Sequence, residues 1–120
     1  MRKIVFNWIA VILWLGVIYY FSSQPDLKSE LAPFWDFIFR KIAHMAEYFV
    51  LAYLFFRTWQ SYGLATKKSL FLSFSLALVY AIFDEFHQSF VAGRTASPKD
   101  VLIDSLGIIG FVVLRLFEKK

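Results

Sequence analysis

The chain has 120 residues, of which 59% are hydrophobic and 21% aromatic, with only 18% charged and a net charge of +4. So few charges exclude a water-soluble surface for a chain of this size, and the length allows one domain, residues 1–120, and no second. Cysteine is absent, which removes disulfides, thiolate metal sites and thiol nucleophiles; the basic residues flank apolar runs and form no stripe, which argues against a nucleic-acid partner.

Ile4 to Phe21 is an apolar run interrupted only by Asn7 among strongly polar types. At about 1.5 Å per residue it crosses most of a ~30 Å hydrocarbon core. Met1-Arg2-Lys3 imitates the start of a signal peptide, but the run exceeds the roughly 7–15 residues of such a segment and no A-x-A-like site follows. It reads as a retained first helix, ended at Ser22-Ser23-Gln24-Pro25 because proline disfavours helix at the residue before it.

Pro33, Phe34, Trp35 and Phe37 read as a short interfacial helix, with its rings at headgroup level. A second span then covers Ile38 to Trp59, with Arg40, Lys41, His44 and Glu47 crowded at its beginning. Gly63 marks a short inner turn, and a third span runs from Ser69 to Phe90. Ser97 reads as an N-cap, with Pro98 at the first helical position and Asp100 at the third, opening a fourth span from Val101 to Phe117. The expected fold is an all-α membrane protein: a bundle of four transmembrane helices with the interfacial helix before the second.

Lysine and arginine set the orientation. Arg2, Lys3, Arg57, Lys67, Lys68, Arg115, Lys119 and Lys120 fall on one side, against Lys28, Arg40, Lys41, Arg94 and Lys99 on the other. The positive-inside rule then places both termini in the cytoplasm of a multi-pass protein of the cell membrane.

This topology gathers polar and ionisable side chains at the outer end. His44 and Glu47 are three apart and share a helix face with Lys41 above and Tyr48 alongside. Asp84, His87 and Gln88 share another, with Glu85 rotated about 100° from Asp84. Asp104 lies on the fourth helix, and Arg94 in the loop between the third and fourth. Bland readings exist for each: His44 with Glu47 as a self-satisfying pair, Glu85 as a snorkelling carboxylate, Arg94 as a loop cation, Asp100 as a helix cap. Gly107 and Gly110 read as places where helices approach closely. Independent snorkelling would scatter acids over both ends, whereas the inner ends carry almost only Lys and Arg. A shared pocket is therefore the better reading.

Acids, imidazoles and an arginine in one pocket suit three tasks: acid–base work on an ester or phosphoester, binding of a divalent metal through His44, Glu47, Asp84 and His87, or binding of a polar headgroup without reaction. The two histidines lie on different helices and fit no standard zinc spacing, so the metal and any other cofactor stay open.

The stretch Asp84-Glu85-Phe86-His87-Gln88, followed by Gly93-Arg94-Thr95-Ala96-Ser97 and Asp100-Val101-Leu102-Ile103-Asp104, resembles the VanZ-like family. So do Phe21-Ser22-Ser23-Gln24-Pro25 and Lys41-Ile42-Ala43-His44 with Glu47-Tyr48-Phe49, and the resemblance covers nearly the whole chain. It implies a small bacterial multi-pass membrane protein. The name-giving member of that family is associated with resistance to teicoplanin, a glycopeptide that acts on wall precursors outside the cell. The resemblance implies no particular reaction.

The leading expectation is an acid–base enzyme acting on a lipid-linked or cell-envelope substrate. Its catalytic candidates are His44, Glu47, Asp84, Glu85 and His87, with Lys41, Tyr48, Gln88, Arg94, Asp104 and Gln24 as substrate-binding candidates. The alternatives are a non-enzymatic binder of an envelope lipid or glycopeptide, and an ion-coupled transporter, whose pathway an oligomer could build. The last is disfavoured because no pair of broken helices is visible.

Overall fold

The computed structural model describes residues 2–22, 33–90 and 98–118. These residues form four helices: α1 (Arg2–Ser22), α2 (Pro33–Ser61), α3 (Thr66–Gln88) and α4 (Pro98–Glu118). The helix boundaries have local causes. α1 is described as far as Ser22, and α4 opens on Pro98, whose missing N–H is not needed in a first turn. Gly63 takes a φ of +84° between α2 and α3, a conformation that costs glycine little and other residues more.

One expectation is corrected. The aromatic stretch from Pro33 is not a separate interfacial helix; it is the first turn of α2, which continues unbroken for 29 residues. Between Pro33 and Ile38 there is no glycine or second proline to interrupt the hydrogen-bond ladder, so nothing stops the helix once it has started.

Four helices of about 31 to 44 Å are each long enough to cross a bilayer by rise alone. By composition, two of the four expected spans qualify, Arg2–Phe21 and Thr66–Gln88. α2 carries Arg40, Lys41, Glu47 and Arg57, and α4 carries Asp104, Arg115 and Glu118. The groups that dilute the apolar character of α2 and α4 include those that build the site below.

The helices alternate in direction. Asn7 meets Arg57 and Trp14 meets Glu47, so α1 and α2 are antiparallel. Tyr48 meets Asp84 and Gln60 meets Ser69, so α2 and α3 are antiparallel too. Met45 lies against Gly107 and Phe56 against Arg115, which makes α4 parallel to α2. α2 is the central element, packed on all three others.

The core consists of Leu51, Ala52, Phe55 and Phe56 of α2 with Val11, Ile18, Leu70, Ala77, Ala81, Ile108 and Phe111 from its neighbours. Phe111 is the hub of an aromatic cluster, edge-on to Phe49, Tyr53 and Phe56. The buried face of α3 carries Ser69, Ser73, Ala77 and Ala81 at four-residue spacing. Such small residues let backbones approach where larger side chains would hold them apart. The serines add no unmet polarity: Ser73 donates back to the Ser69 carbonyl at 2.7 Å, and Ser69 accepts from Gln60 at 3.0 Å. Outward, Phe6, Leu13, Phe71, Val79 and Phe86 are exposed, an apolar exterior unlike that of a water-soluble domain.

Candidate functional site

The small-residue stripe of α3 continues into Asp84 and then Gln88, and this register carries both polar groups into the bundle. Asp84 is 2% exposed, Gln88 2%, Asp104 of α4 3% and Tyr48 of α2 0%. Asp84 lies four residues before the end of α3, and Asp104 six residues after the start of α4. Both are therefore about 6 to 9 Å inside the end of the bundle opposite the Gly63 turn.

Three helices contribute to one centre. The Asp104 Oδ1 atom of α4 lies 3.2 Å from Nδ1 of His44 on α2, an ion-pair separation. Tyr48, one turn after His44 and on the same face, donates its O–H to Asp84 Oδ2 of α3 at 2.9 Å. His44, Asp84 and Asp104 each offer a ligand atom within 4.8 Å of the others. Burying carboxylates is costly unless they are paired or hydrogen-bonded; here the imidazole stands at ion-pair distance from Asp104 and the phenol hydrogen-bonds Asp84.

The close approach that sets this geometry is visible in the backbone. A Cβ built on Gly107 would lie 2.9 Å from the carbonyl carbon of Met45, and closer still to its oxygen. Gly107 stands three residues after Asp104, on the same face of α4, and Met45 directly follows His44. The bare glycine thus lets α4 approach α2 at the level where His44 and Asp104 meet. Gly110, by contrast, has only Phe49 Cδ2 nearby, at 3.9 Å.

The remaining candidates lie around this centre. His87 turns toward α1, where its ring stacks on Tyr19 with centroids 4.4 Å apart. At Glu47 the backbone carbonyl accepts from Trp14 Nε1–H of α1 at 2.9 Å, and the residue is half-buried. Lys41 lies one turn from His44 toward the bundle end, half-buried, and Glu85 is half-buried beside the Asp84 stripe. Gln24 and Arg94 lie outside the described residues. The grouped ligand atoms thus include Asp104 where spacing along the chain pointed to Glu47 and His87.

Sequence reading missed the part played by α1. Tyr80 donates to the Leu15 carbonyl at 2.9 Å, and together with the contacts of Trp14 and Tyr19 it closes α1 against the site's flank. Trp14 and Tyr19 were the available signal, since aromatic tips that must find partners in an apolar segment mark where it packs.

Chemically, the centre has two carboxylates, an imidazole and a phenol. Such a set can pass a proton between oxygen and nitrogen, and its donor types also suit a divalent cation.

A family model described as VanZ/LLP1 matches residues 6–118 of the chain. No curated protein and no solved structure matches it.

Proposed function

This chain belongs to the VanZ/LLP1 family, and from that membership and the buried centre we propose a multi-pass membrane enzyme that works by acid–base chemistry on the polar headgroup of a lipid-linked cell-envelope substrate. The carrying observation is that His44, Asp84 and Asp104, from three different helices, bring their ligand atoms within 4.8 Å of one another. Asp104 stands 3.2 Å from Nδ1 of His44, which leaves Nε2 as the nitrogen that accepts a proton from a hydroxyl or water and returns it to a leaving oxygen. Asp84, oriented by Tyr48, is the second proton-handling group. Lys41, toward the same end of α2, and Arg94, in the connection between α3 and α4, match an anionic headgroup.

The four helices cross the membrane with both termini inside, because the basic residues concentrate at the end carrying the Gly63 turn. That puts the site toward the outer leaflet, where wall precursors are exposed. A contribution to glycopeptide tolerance, teicoplanin included, is part of the same proposal.

The test is reconstitution of the full chain in lipid nanodiscs with a panel of polyprenyl-linked and phospholipid substrates, followed by mass spectrometry of the headgroups. Turnover of one headgroup class should fall about 100-fold or more in His44→Gln, Asp84→Asn and Asp104→Asn. If no headgroup changes, or if Asp104→Asn turns over like the parent chain, the proposal fails.

The proximity of the three ligand atoms also favours a second version, in which His44, Asp84 and Asp104 would hold a divalent cation and the cation would supply Lewis acidity to a water. Chelation then abolishes turnover and zinc or manganese restores it. Full activity after exhaustive chelation leaves only the metal-free version.

A further inference from the structure

At the opposite end of the bundle, the start of α1 and the end of α2 enclose a groove of about 430 Å³ lined by Lys3, Phe6, Asn7, Arg57, Gln60 and Ser61. Its volume falls in the range of small-ligand sites, roughly 300–1,000 Å³. Two of its six lining residues are cations and none is an acid.

The charges of this end are unequally matched. Arg115 pairs with Glu118 at 3.0 Å and lies over the Phe56 ring. Arg57, half-buried, stands 5.8 Å from the Tyr53 ring centroid, and neither it nor Lys3 has a carboxylate partner among the described residues. The buried Nε of Arg57 also has no hydrogen-bond acceptor among them. A half-buried guanidinium with no carboxylate partner is suited to contact two oxygens of a phosphate. Asn7 holds the groove in register, since its Nδ2 donates to the Arg57 carbonyl at 3.4 Å across the two helices. The first turn of α1 contains no acidic residue, so its positive end also favours an anion. Phe6 extends the polar floor with an exposed apolar surface.

We propose that this groove binds the phosphate of an anionic lipid headgroup, with Arg57 and Lys3 on the phosphate oxygens and Phe6 against the lipid's apolar part. Basic pockets between membrane helices on the cytoplasmic side suit such headgroups. The inference rests on the reading of the chain as a multi-pass membrane protein, and it is independent of any reaction at His44.

The test is native mass spectrometry of the full chain released from detergent micelles, with retention of dioleoyl-phosphatidylglycerol compared with dioleoyl-phosphatidylcholine and with inorganic phosphate. Phosphatidylglycerol should be retained preferentially, and Arg57→Gln or Lys3→Gln should each reduce that retention about fivefold. Lys68→Gln, at the same end but outside the groove, should leave it unchanged. Lys3 is exposed, so its substitution reads the site without loss of fold, and Arg57→Lys should retain more lipid than Arg57→Gln.

Equal retention of both lipids, or an equal loss in Lys68→Gln, overturns the assignment. So does Arg57-dependent binding of inorganic phosphate without any lipid preference. Carbonate extraction of the source membranes separates the two failures. Release by carbonate refutes the membrane reading, whereas a chain that resists carbonate but shows no lipid preference refutes the groove alone.

Discussion

Gly107→Ala tests how the site is assembled. The added methyl would be 2.9 Å from the Met45 carbonyl carbon, and closer to the oxygen, where real Cβ contacts essentially never fall below 3.0 Å and are ordinary only from 3.4 Å. The obstacle is helix backbone and cannot swing aside, so α4 must retreat from α2 by about 1 Å. The His44–Asp104 separation, 3.2 Å in the native packing, then opens past the roughly 4 Å limit of an ion pair. Overpacking of this kind costs about 1–3 kcal/mol. Alanine also returns about 1 kcal/mol of helix propensity, which would blur a single measurement. Gly110→Ala removes that ambiguity, because it gains the same propensity while its methyl meets only Phe49 Cδ2 at 3.9 Å. The difference between the two variants in thermal unfolding, measured in one detergent, isolates the steric cost. Gly107→Ala should be less stable than Gly110→Ala by about 1–3 kcal/mol and should lose headgroup turnover. Equal stability of the two would show that α2 and α4 do not touch at Gly107, and the account of the site's assembly would be wrong.

Other perturbations act on the same set of contacts. Tyr48→Phe removes the buried 2.9 Å bond to Asp84 and should lower stability by about 1.5–3 kcal/mol in denaturant unfolding; a neutral result would mean that the hydroxyl is not engaged. His44→Gln and Asp104→Asn, measured singly and together, should be non-additive by about 0.5–3 kcal/mol, as groups 3.2 Å apart require; strict additivity would separate them. Gly63→Ala, at a φ of +84°, should cost about 1–2 kcal/mol in thermal unfolding and leave the site's chemistry intact, and no loss would argue against the left-handed turn.

Much of the fold was readable from local chemistry. Apolar runs located all four helices, Pro98 marked a start, and Gly63 marked a turn, because each signal acts within a few residues of itself. The start of α2 was misread for the same reason: aromatic residues after Pro33 look interfacial by composition, yet the absence of a breaker before Ile38 joins them to the rest of α2 as one helix. The site was readable only as a set of faces. Spacing shows that His44 shares a face with Tyr48, and Asp84 with Gln88, but not which side chain on a neighbouring helix each will meet. That depends on how the helices are rotated about their axes, and the rotation is set by contacts between distant residues, the small stripe of α3 and the Gly107–Met45 approach. Hence Asp104 stands beside His44, while His87 is directed to Tyr19 on α1.

The convergence of α2 and α4 on one buried centre can be measured without knowing the substrate. The chain has no cysteine, so a pair introduced as His44→Cys with Asp104→Cys reports on that contact alone. In native membranes a short bifunctional thiol reagent should link the pair within one chain, detected as a mass increment on the intact monomer, while a control pair at positions 44 and 115 stays unlinked. Absence of the 44–104 link, or linkage only between copies, would contradict the site.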